Sequence, residues 1–211
     1  MIENINKSGY ETISKPNTYV LENLEKILNN KSNPLVAELG IGIGATTLEI
    51  AKLLKGNGQI HIFDFEDNVM ILTEELKNVG FDNIIPHGNS EKYWDSYHWS
   101  IQKIISSKTT ELFDLIYIDG AHTYLHDCLA FFMCDRILNT GGIIVFDDYN
   151  WRYADSKYMK DIRNLYMTEE QINSCQIKLF VDQIVSNHIG YKPIVKNSVY
   201  QKVLNMWKSE E

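Results

Sequence analysis

Leu115-Ile116-Tyr117-Ile118-Asp119-Gly120-Ala121-His122 decides the fold when it is set beside Ile143-Ile144-Val145-Phe146-Asp147-Asp148-Tyr149. Each stretch is a short apolar run, rich in β-branched residues, that ends abruptly in carboxylates. Uninterrupted runs of this length suit strands buried on both faces of a parallel sheet. In open α/β sheets, ligands bind just beyond the carboxyl ends of the strands. Asp119, Asp147 and Asp148 therefore stand where chemistry is done, and together they can share one divalent cation. Turn and capping duty is the competing use of aspartates in such places.

Working outward, the rest of the chain alternates strand and helix signals. Helical apolar spacing covers 18–30, and Asn29-Asn30-Lys31-Ser32-Asn33-Pro34 breaks it. Strands are expected at Leu35 to Leu39, at Gln59 to Phe63 and, more weakly, at Ile84 to His87. Helices are expected over Ala45 to Leu54, over Val69 to Val79 with Gly80 just past the end, and over 91–107 and 124–138. Gly141-Gly142 supplies the turn into the fifth strand. Beyond Trp151 the pattern predicts helices over 156–167 and Glu169 to Asn187. A strand pair, Tyr191 to Lys196 and Ser198 to Met206, then turns at Asn197. This alternation predicts an α/β fold: a doubly wound, seven-stranded, mostly parallel sheet with an antiparallel C-terminal hairpin. One domain is expected over 1–211: a helical cap (1–33), a ligand core (34–150), an acceptor-side insertion and helix (151–190) and the closing strands (191–211).

Bulk properties narrow the partners. The 211 residues are 44% apolar and 23% charged, ordinary for one globular domain. A formal charge of −8 argues against nucleic acid, which normally needs a basic face. No apolar stretch approaches the roughly 20 residues of a membrane span. Met1 to Asn6 lacks the basic and apolar parts of a secretory signal, so a cytoplasmic location is expected. Cys128, Cys134 and Cys175 are irregularly spaced and read as buried free thiols.

Glu38-Leu39-Gly40-Ile41-Gly42-Ile43-Gly44 closes the first strand and opens a helix. Glycines there allow a tight turn and close approach to a ligand, and the helix start offers free N–H groups. No Gly-Lys-Ser/Thr follows, which excludes a phosphate-binding P-loop. The spacing is G-x-G-x-G, not the G-x-G-x-x-G of dinucleotide sites, which disfavours a nicotinamide dehydrogenase. Glu38 is unfriendly to a pyrophosphate and suits a cationic group, such as the amino and sulfonium groups of S-adenosyl-L-methionine. Asp64, ending the second strand, is the expected acceptor for ribose hydroxyls, with loop or cap duty as its alternative.

In this order, Glu38 to Gly44, Ile62-Phe63-Asp64, Phe113 to His122 and Gly141 to Tyr149 resemble the class I S-adenosylmethionine-dependent methyltransferases. The pattern is most similar to the macrocin O-methyltransferase-like group, which methylates sugar hydroxyls with magnesium. The resemblance spans roughly 33–150 and implies a Rossmann-like fold. It implies S-adenosyl-L-methionine and Mg²⁺ (or Mn²⁺) as cofactors, with Asp119, Asp147 and Asp148 as metal ligands. For cofactor binding it implies Glu38, Gly40, Gly42, Gly44, Asp64, Ser90 and Asp119, Ser90 falling near the adenine. The segment Asn150 to Asp155 departs from the pattern, which leaves acceptor recognition open.

Methyl transfer requires the acceptor hydroxyl to be aligned and deprotonated. His122 is the best-placed neutral base and Asp119 its rival; His126 reads as structural. Tyr93-Trp94-Asp95-Ser96-Tyr97-His98-Trp99 reads first as helix packing and second as an acceptor platform. Tyr10, Tyr19 and Trp151-Arg152-Tyr153 share that ambiguity. Only three arginines occur, a bias that suggests an AT-rich bacterial source and leans the acceptor toward a surface or capsular polysaccharide sugar or its nucleotide-linked precursor. A catechol-type small-molecule methyltransferase is the first alternative, and a catalytically silent cofactor-binding partner subunit the second. Self-association as a homo-oligomer is left open.

Overall fold

Strands form where the apolar runs predict them. The computed structural model describes residues 1–5, 15–107 and 112–207. β1 (Leu35–Leu39), β2 (Gln59–Phe65), β3 (Ile84–Asn89), β4 (Phe113–Ile118) and β5 (Leu138–Phe146) are parallel; β6 (Tyr191–Val195) and β7 (Val199–Lys202) form the antiparallel finish. The seven-stranded sheet runs β3-β2-β1-β4-β5-β7-β6, so strand order reverses between β1 and β4. Doubly wound sheets open a ligand crevice at that reversal.

Each face carries its own core, as expected of strands buried on both sides. Ala37, Leu39, Ile116, Ile118 and Phe146 pack with α4 (Tyr97–Ser106), α5 (Tyr124–Ile137) and α8 (Gln176–Gln183). Val36, Leu115, Tyr117 and Val145 pack on the other face with α1 (Thr18–Leu28), α2 (Ala45–Leu54) and α3 (Glu66–Asn78). Cys134 is buried, whereas Cys128 and Cys175 are only half-buried; none forms a disulfide.

The C-terminal half shows what pattern alone misjudges. The expected helix over 156–167 shrinks to α6 (Arg163–Tyr166). There the Arg163 guanidinium reaches back to the carbonyls of Tyr153 and Ala154, folding the preceding residues into turns. The helix expected from Glu169 to Asn187 divides into α7 (Glu169–Asn173) and α8, then a 3₁₀ turn at Val185–Asn187. Asn173 and Ser174 side chains bond the carbonyls of Glu169 and Glu170, competing with helix continuation. Gly141, with φ +89°, lies not before β5 but inside it. Leu138 pairs Phe113 while Ile143 pairs Leu115, so residues 139–142 bulge outward. The terminal hairpin turns at Asn197, with φ +75°, as expected.

Candidate active site

Alternation along the strands builds the site. Glu38 pairs laterally with Tyr117, and Tyr117 with Val145. All three face the α1–α2 side, and so do Asp119 and Asp147, each two residues further along its strand. Asp64 shares that face on β2, where Ile60 and Ile62 also point. Four adjacent strands thus contribute one acid each, in the order Asp64, Glu38, Asp119 and Asp147. The ladder continues past the strand ends: Asp119 N–H donates to Leu39 O (2.8 Å) and Asp147 N–H to Ile118 O (3.1 Å). Parallel neighbours lie about 4.8 Å apart, which sets Asp119 beside Asp147.

Asp148 breaks the alternation. Its φ of +52° is left-handed, as is that of His122 at +52°. Both turns re-aim the side chain toward the same space. His122 Nδ1 stands 3.5 Å from Asp148 Oδ2, and His122 Nε2 stands 3.8 Å from Asp119 Oδ1. Both separations are longer than a normal hydrogen bond, and they become ion pairs only when the imidazole is protonated. Ligand atoms of Asp119, His122 and Asp148 all lie within 4.8 Å of one another, a grouping able to hold a metal ion. Asp147 enters differently. Its Oδ2 accepts from the Tyr117 hydroxyl (2.5 Å) and its Oδ1 from the Asp148 N–H (2.9 Å).

Electrostatics follow from crowding. Burial, then the charges of Asp147 and Asp148, push the Asp119 carboxyl well above the usual carboxylate range. Its side chain keeps 32% of its surface open, but onto the floor of the cleft. Asp148 is likewise raised by burial and by Asp147, against the opposing pull of His122. Burial lowers His122, with Asp148 and Asp147 opposing, which keeps the imidazole neutral at pH 7. Among the described residues, no lysine or arginine forms an ion pair with these three aspartates.

The glycine loop supplies the other half of the cleft. Gly40 has φ +83°, and an added Cβ would sit 2.0 Å from Asp119 O, so β1 and β4 approach too closely there for any side chain. Gly42 (φ +50°) opens into space with nothing within 4 Å, leaving its backbone accessible to a ligand. Gly44 (φ +85°) borders no part of the cleft; a Cβ there would strike Leu72 on α3 at 2.4 Å, so its role is helix packing. We expect Gly40→Ala to cost about 2–4 kcal/mol of stability, combining left-handed strain with a backbone clash, and Gly42→Ala only about 1–2 kcal/mol from strain. Equilibrium denaturation of the two variants checks this order.

Glu38 is buried, and Thr47 Oγ1 donates to its Oε2 at 2.7 Å. Burial pushes its carboxyl up to about 8, the Thr47 bond opposing and Asp64 adding slightly. Asp64 Oδ2 accepts from Ile41 N–H (3.0 Å) and Oδ1 from Phe65 N–H (2.7 Å) and Asn68 Nδ2 (3.0 Å). It therefore ties the glycine loop to α3 while still bordering the cleft. Ser90 N–H and Oγ both donate to Asp95 Oδ2 (2.8 and 2.7 Å), and it is Asn89, Asp95, Ser96 and Tyr97 that form the wall there.

The whole cleft has a volume of about 1310 Å³, room for a nucleoside-sized ligand and a second molecule. From 151–190 only Trp151 and Asp155 to Tyr158 border it, whereas Ile177, Phe180 and Val181 belong to the core. Tyr19 also borders the cleft; Tyr10 lies outside the described residues. In the aromatic tract Tyr97 is buried while Tyr93 and Trp94 are exposed. Sequence reasoning missed Tyr117, Asn17 and Thr47 as partners of the acids. The only signal was Tyr117 standing two residues before Asp119, hence on its face.

No helix among the described residues is long and apolar enough to cross a membrane. Among curated proteins none matches this sequence. The fold is similar to the O-methyltransferase from Bacillus cereus in complex with SAH, with TM-score 0.63, 14% identity, and 95% of this chain and 89% of that one covered. It is also similar to a candidate O-methyltransferase from Klebsiella pneumoniae (TM-score 0.59, 15% identity, 90% and 82% covered). A candidate caffeoyl-CoA O-methyltransferase from Staphylococcus aureus is similar as well (TM-score 0.58, 13% identity, 95% and 94% covered). At such identities these likenesses establish the fold. The sequence itself matches the methyltransferase domain family over residues 37–149, the stretch that carries the glycine loop and every acid of the row, and the chain belongs to that family.

Proposed function

We propose that the chain transfers a methyl group from S-adenosyl-L-methionine to a sugar hydroxyl, assisted by a divalent cation, Mg²⁺ or Mn²⁺. The carrying observation is the convergence of Asp119, Asp148 and His122 at the ends of β4 and β5, directly beside the glycine-loop cleft, with Asp147 next to them and bonded to Tyr117 and Asp148. The donor set suits the ion: carboxylate oxygens of Asp119 and Asp148 beside the His122 ring, with no lysine or arginine paired to them among the described residues. It suits the methyl donor too, since Glu38 offers a buried carboxylate to a cationic group and Gly42 an open backbone.

When bound, S-adenosyl-L-methionine supplies a methyl group on a sulfonium leaving group, and the divalent ion supplies Lewis acidity to the acceptor oxygens. Asp119, Asp147 and Asp148 would hold the ion; Glu38 and the loop backbone at Gly40 and Gly42 would hold the amino-acid end, and Asp64 the ribose. Ser90 acts near the adenine through Asp95. The chain's remaining task is to align the acceptor and take its proton. His122 Nδ1, nearer to Asp148, carries the ring hydrogen and leaves Nε2 to accept the proton of the hydroxyl. Asp148 then stabilises the imidazolium.

Trp151 supports a ring-shaped acceptor. Its N–H closes a turn on Asp148 O (2.9 Å), which sets the indole 5.2 Å from the His122 ring and 4.8 Å from Tyr153. Aromatic faces suit the C–H faces of a pyranose. The same vicinal-oxygen geometry serves a catechol-type acceptor. The low arginine content leans the source toward bacteria that build surface or capsular polysaccharide. Labelled methyl transfer to a panel of sugars, nucleotide sugars and catechols separates the readings: sugar turnover is expected, and turnover of catechols alone would overturn the sugar acceptor. Trp151→Ala is expected to raise acceptor KM about tenfold, since a lost aromatic contact is worth about 1–1.5 kcal/mol, with affinity for S-adenosylhomocysteine unchanged.

A further inference from the structure

We propose that Tyr117 is a positioning residue for the cation site, tethered from outside the sheet by Asn17; this rests on the divalent-cation reading above. Tyr117 is 1% exposed, and its ring fills the core on the α1–α2 side. Its hydroxyl stands between the two lateral carboxylates, 2.9 Å from Asp119 Oδ2 and 2.5 Å from Asp147 Oδ2. Asn17 Nδ2 donates to the same hydroxyl oxygen at 3.4 Å.

Two like charges on neighbouring strands turn apart unless something holds them. The hydroxyl's single hydrogen holds Asp147 Oδ2, and Asp119 Oδ2 lies within hydrogen-bond distance of the same hydroxyl oxygen, so one oxygen of each acid faces inward. What remains outward is determined by that choice. Asp119 Oδ1 is left facing His122, and Asp147 Oδ1 is left to receive the Asp148 N–H, which fixes the turn that aims Asp148. One buried hydroxyl thus sets the directions of all three acids, one of them through the backbone. Asn17 is itself rigidly held. It caps α1 by accepting from Val20 N–H (3.1 Å), and its own N–H donates to Thr46 Oγ1 on α2 (3.1 Å). Partners that orient metal ligands from behind typically change metal affinity 10–100-fold when removed.

The test uses Mn²⁺ alone, titrated into the full chain and followed by electron paramagnetic resonance, with no methyl donor or acceptor present. Tyr117→Phe is expected to weaken Mn²⁺ binding 10–100-fold. Its circular dichroism and its affinity for S-adenosylhomocysteine should stay at wild-type values, which a merely structural role would not produce. Asn17→Asp keeps the helix cap but draws the hydroxyl hydrogen toward a new carboxylate; a loss of several-fold is expected. If Tyr117→Phe does not fold, Asn17→Asp decides by the same criterion. Wild-type Mn²⁺ affinity in a folded variant overturns the positioning role and leaves the cation reading standing. Absence of Mn²⁺ binding by the wild type, or unchanged binding by Asp119→Asn, overturns the cation reading and the proposal together.

Discussion

Asp119→Asn is expected to lower kcat/KM by about 10²–10³, the usual cost of removing one preorganised group that stabilises developing charge. Asp119 is the pivot of the site: it neighbours Asp147 across the sheet, shares the Tyr117 hydroxyl and faces His122. The variant should nevertheless fold. Its backbone bond to Leu39 is retained, and the substitution removes a carboxylate that burial and two like charges already disfavour. A folded-state pKa above the unfolded value means stability that is present at low pH and lost as pH rises. At pH 7 the ligand-free variant should therefore unfold at or above the wild-type temperature. Steady-state kinetics paired with thermal unfolding checks both halves. Loss of activity together with loss of stability would point to a structural residue instead.

Glu38→Gln should show an equally sharp split. With a folded-state value of about 8 against 4.5 in the unfolded chain, Glu38 favours folding fully below pH 4.5, and this contribution disappears as pH rises toward 8. Desolvation dominates the shift, so the loss amounts to a few kcal/mol across that window. Glutamine stays neutral and can still accept from Thr47. The variant should match the wild type near pH 4 and exceed it in unfolding temperature at pH 8–9. Ligand binding should move oppositely. A lost charge-assisted hydrogen bond to a cationic amino group costs about 1.5–3 kcal/mol, or roughly 10–100-fold in affinity for S-adenosylhomocysteine. Calorimetry across pH 6–8 should also show wild-type affinity rising with pH and the variant's staying flat. A variant with full affinity would remove Glu38 from the cofactor site.

Both predictions rest on features that local pattern revealed. Apolar runs located β1, β2, β4 and β5 because strands buried on both faces carry a period-independent signal. The acids at their ends were legible as a group because strand ends in such sheets share one edge. Other features depend on partners distant in sequence. Asn17 lies a hundred residues from Tyr117, and nothing local announces that α1 delivers its cap to a hydroxyl under the carboxylates. The left-handed turn at Asp148, which separates its role from that of Asp147, is open to any aspartate but required by none. The long helix expected over Glu169 to Asn187 failed at Asn173-Ser174, whose side chains bond carbonyls one turn back. Tertiary bonds then settle the break: Gln176 accepts from Tyr124 N–H and donates to Gln171 O. Ser90, expected near the adenine, spends both donors on Asp95, a pairing that its spacing of five residues permits without demanding.

The most direct measurement is the initial rate of labelled methyl transfer from S-adenosyl-L-methionine to a sugar hydroxyl acceptor, taken before chelation, after complete removal of divalent metal, and after Mn²⁺ is restored. Removal should depress the rate by about 10² or more, and restoration should recover it, because in the proposed mechanism a barely acidic hydroxyl would draw on Lewis acidity from an ion held by Asp119, Asp147 and Asp148. A rate indifferent to chelator would contradict the cation-assisted mechanism at its centre.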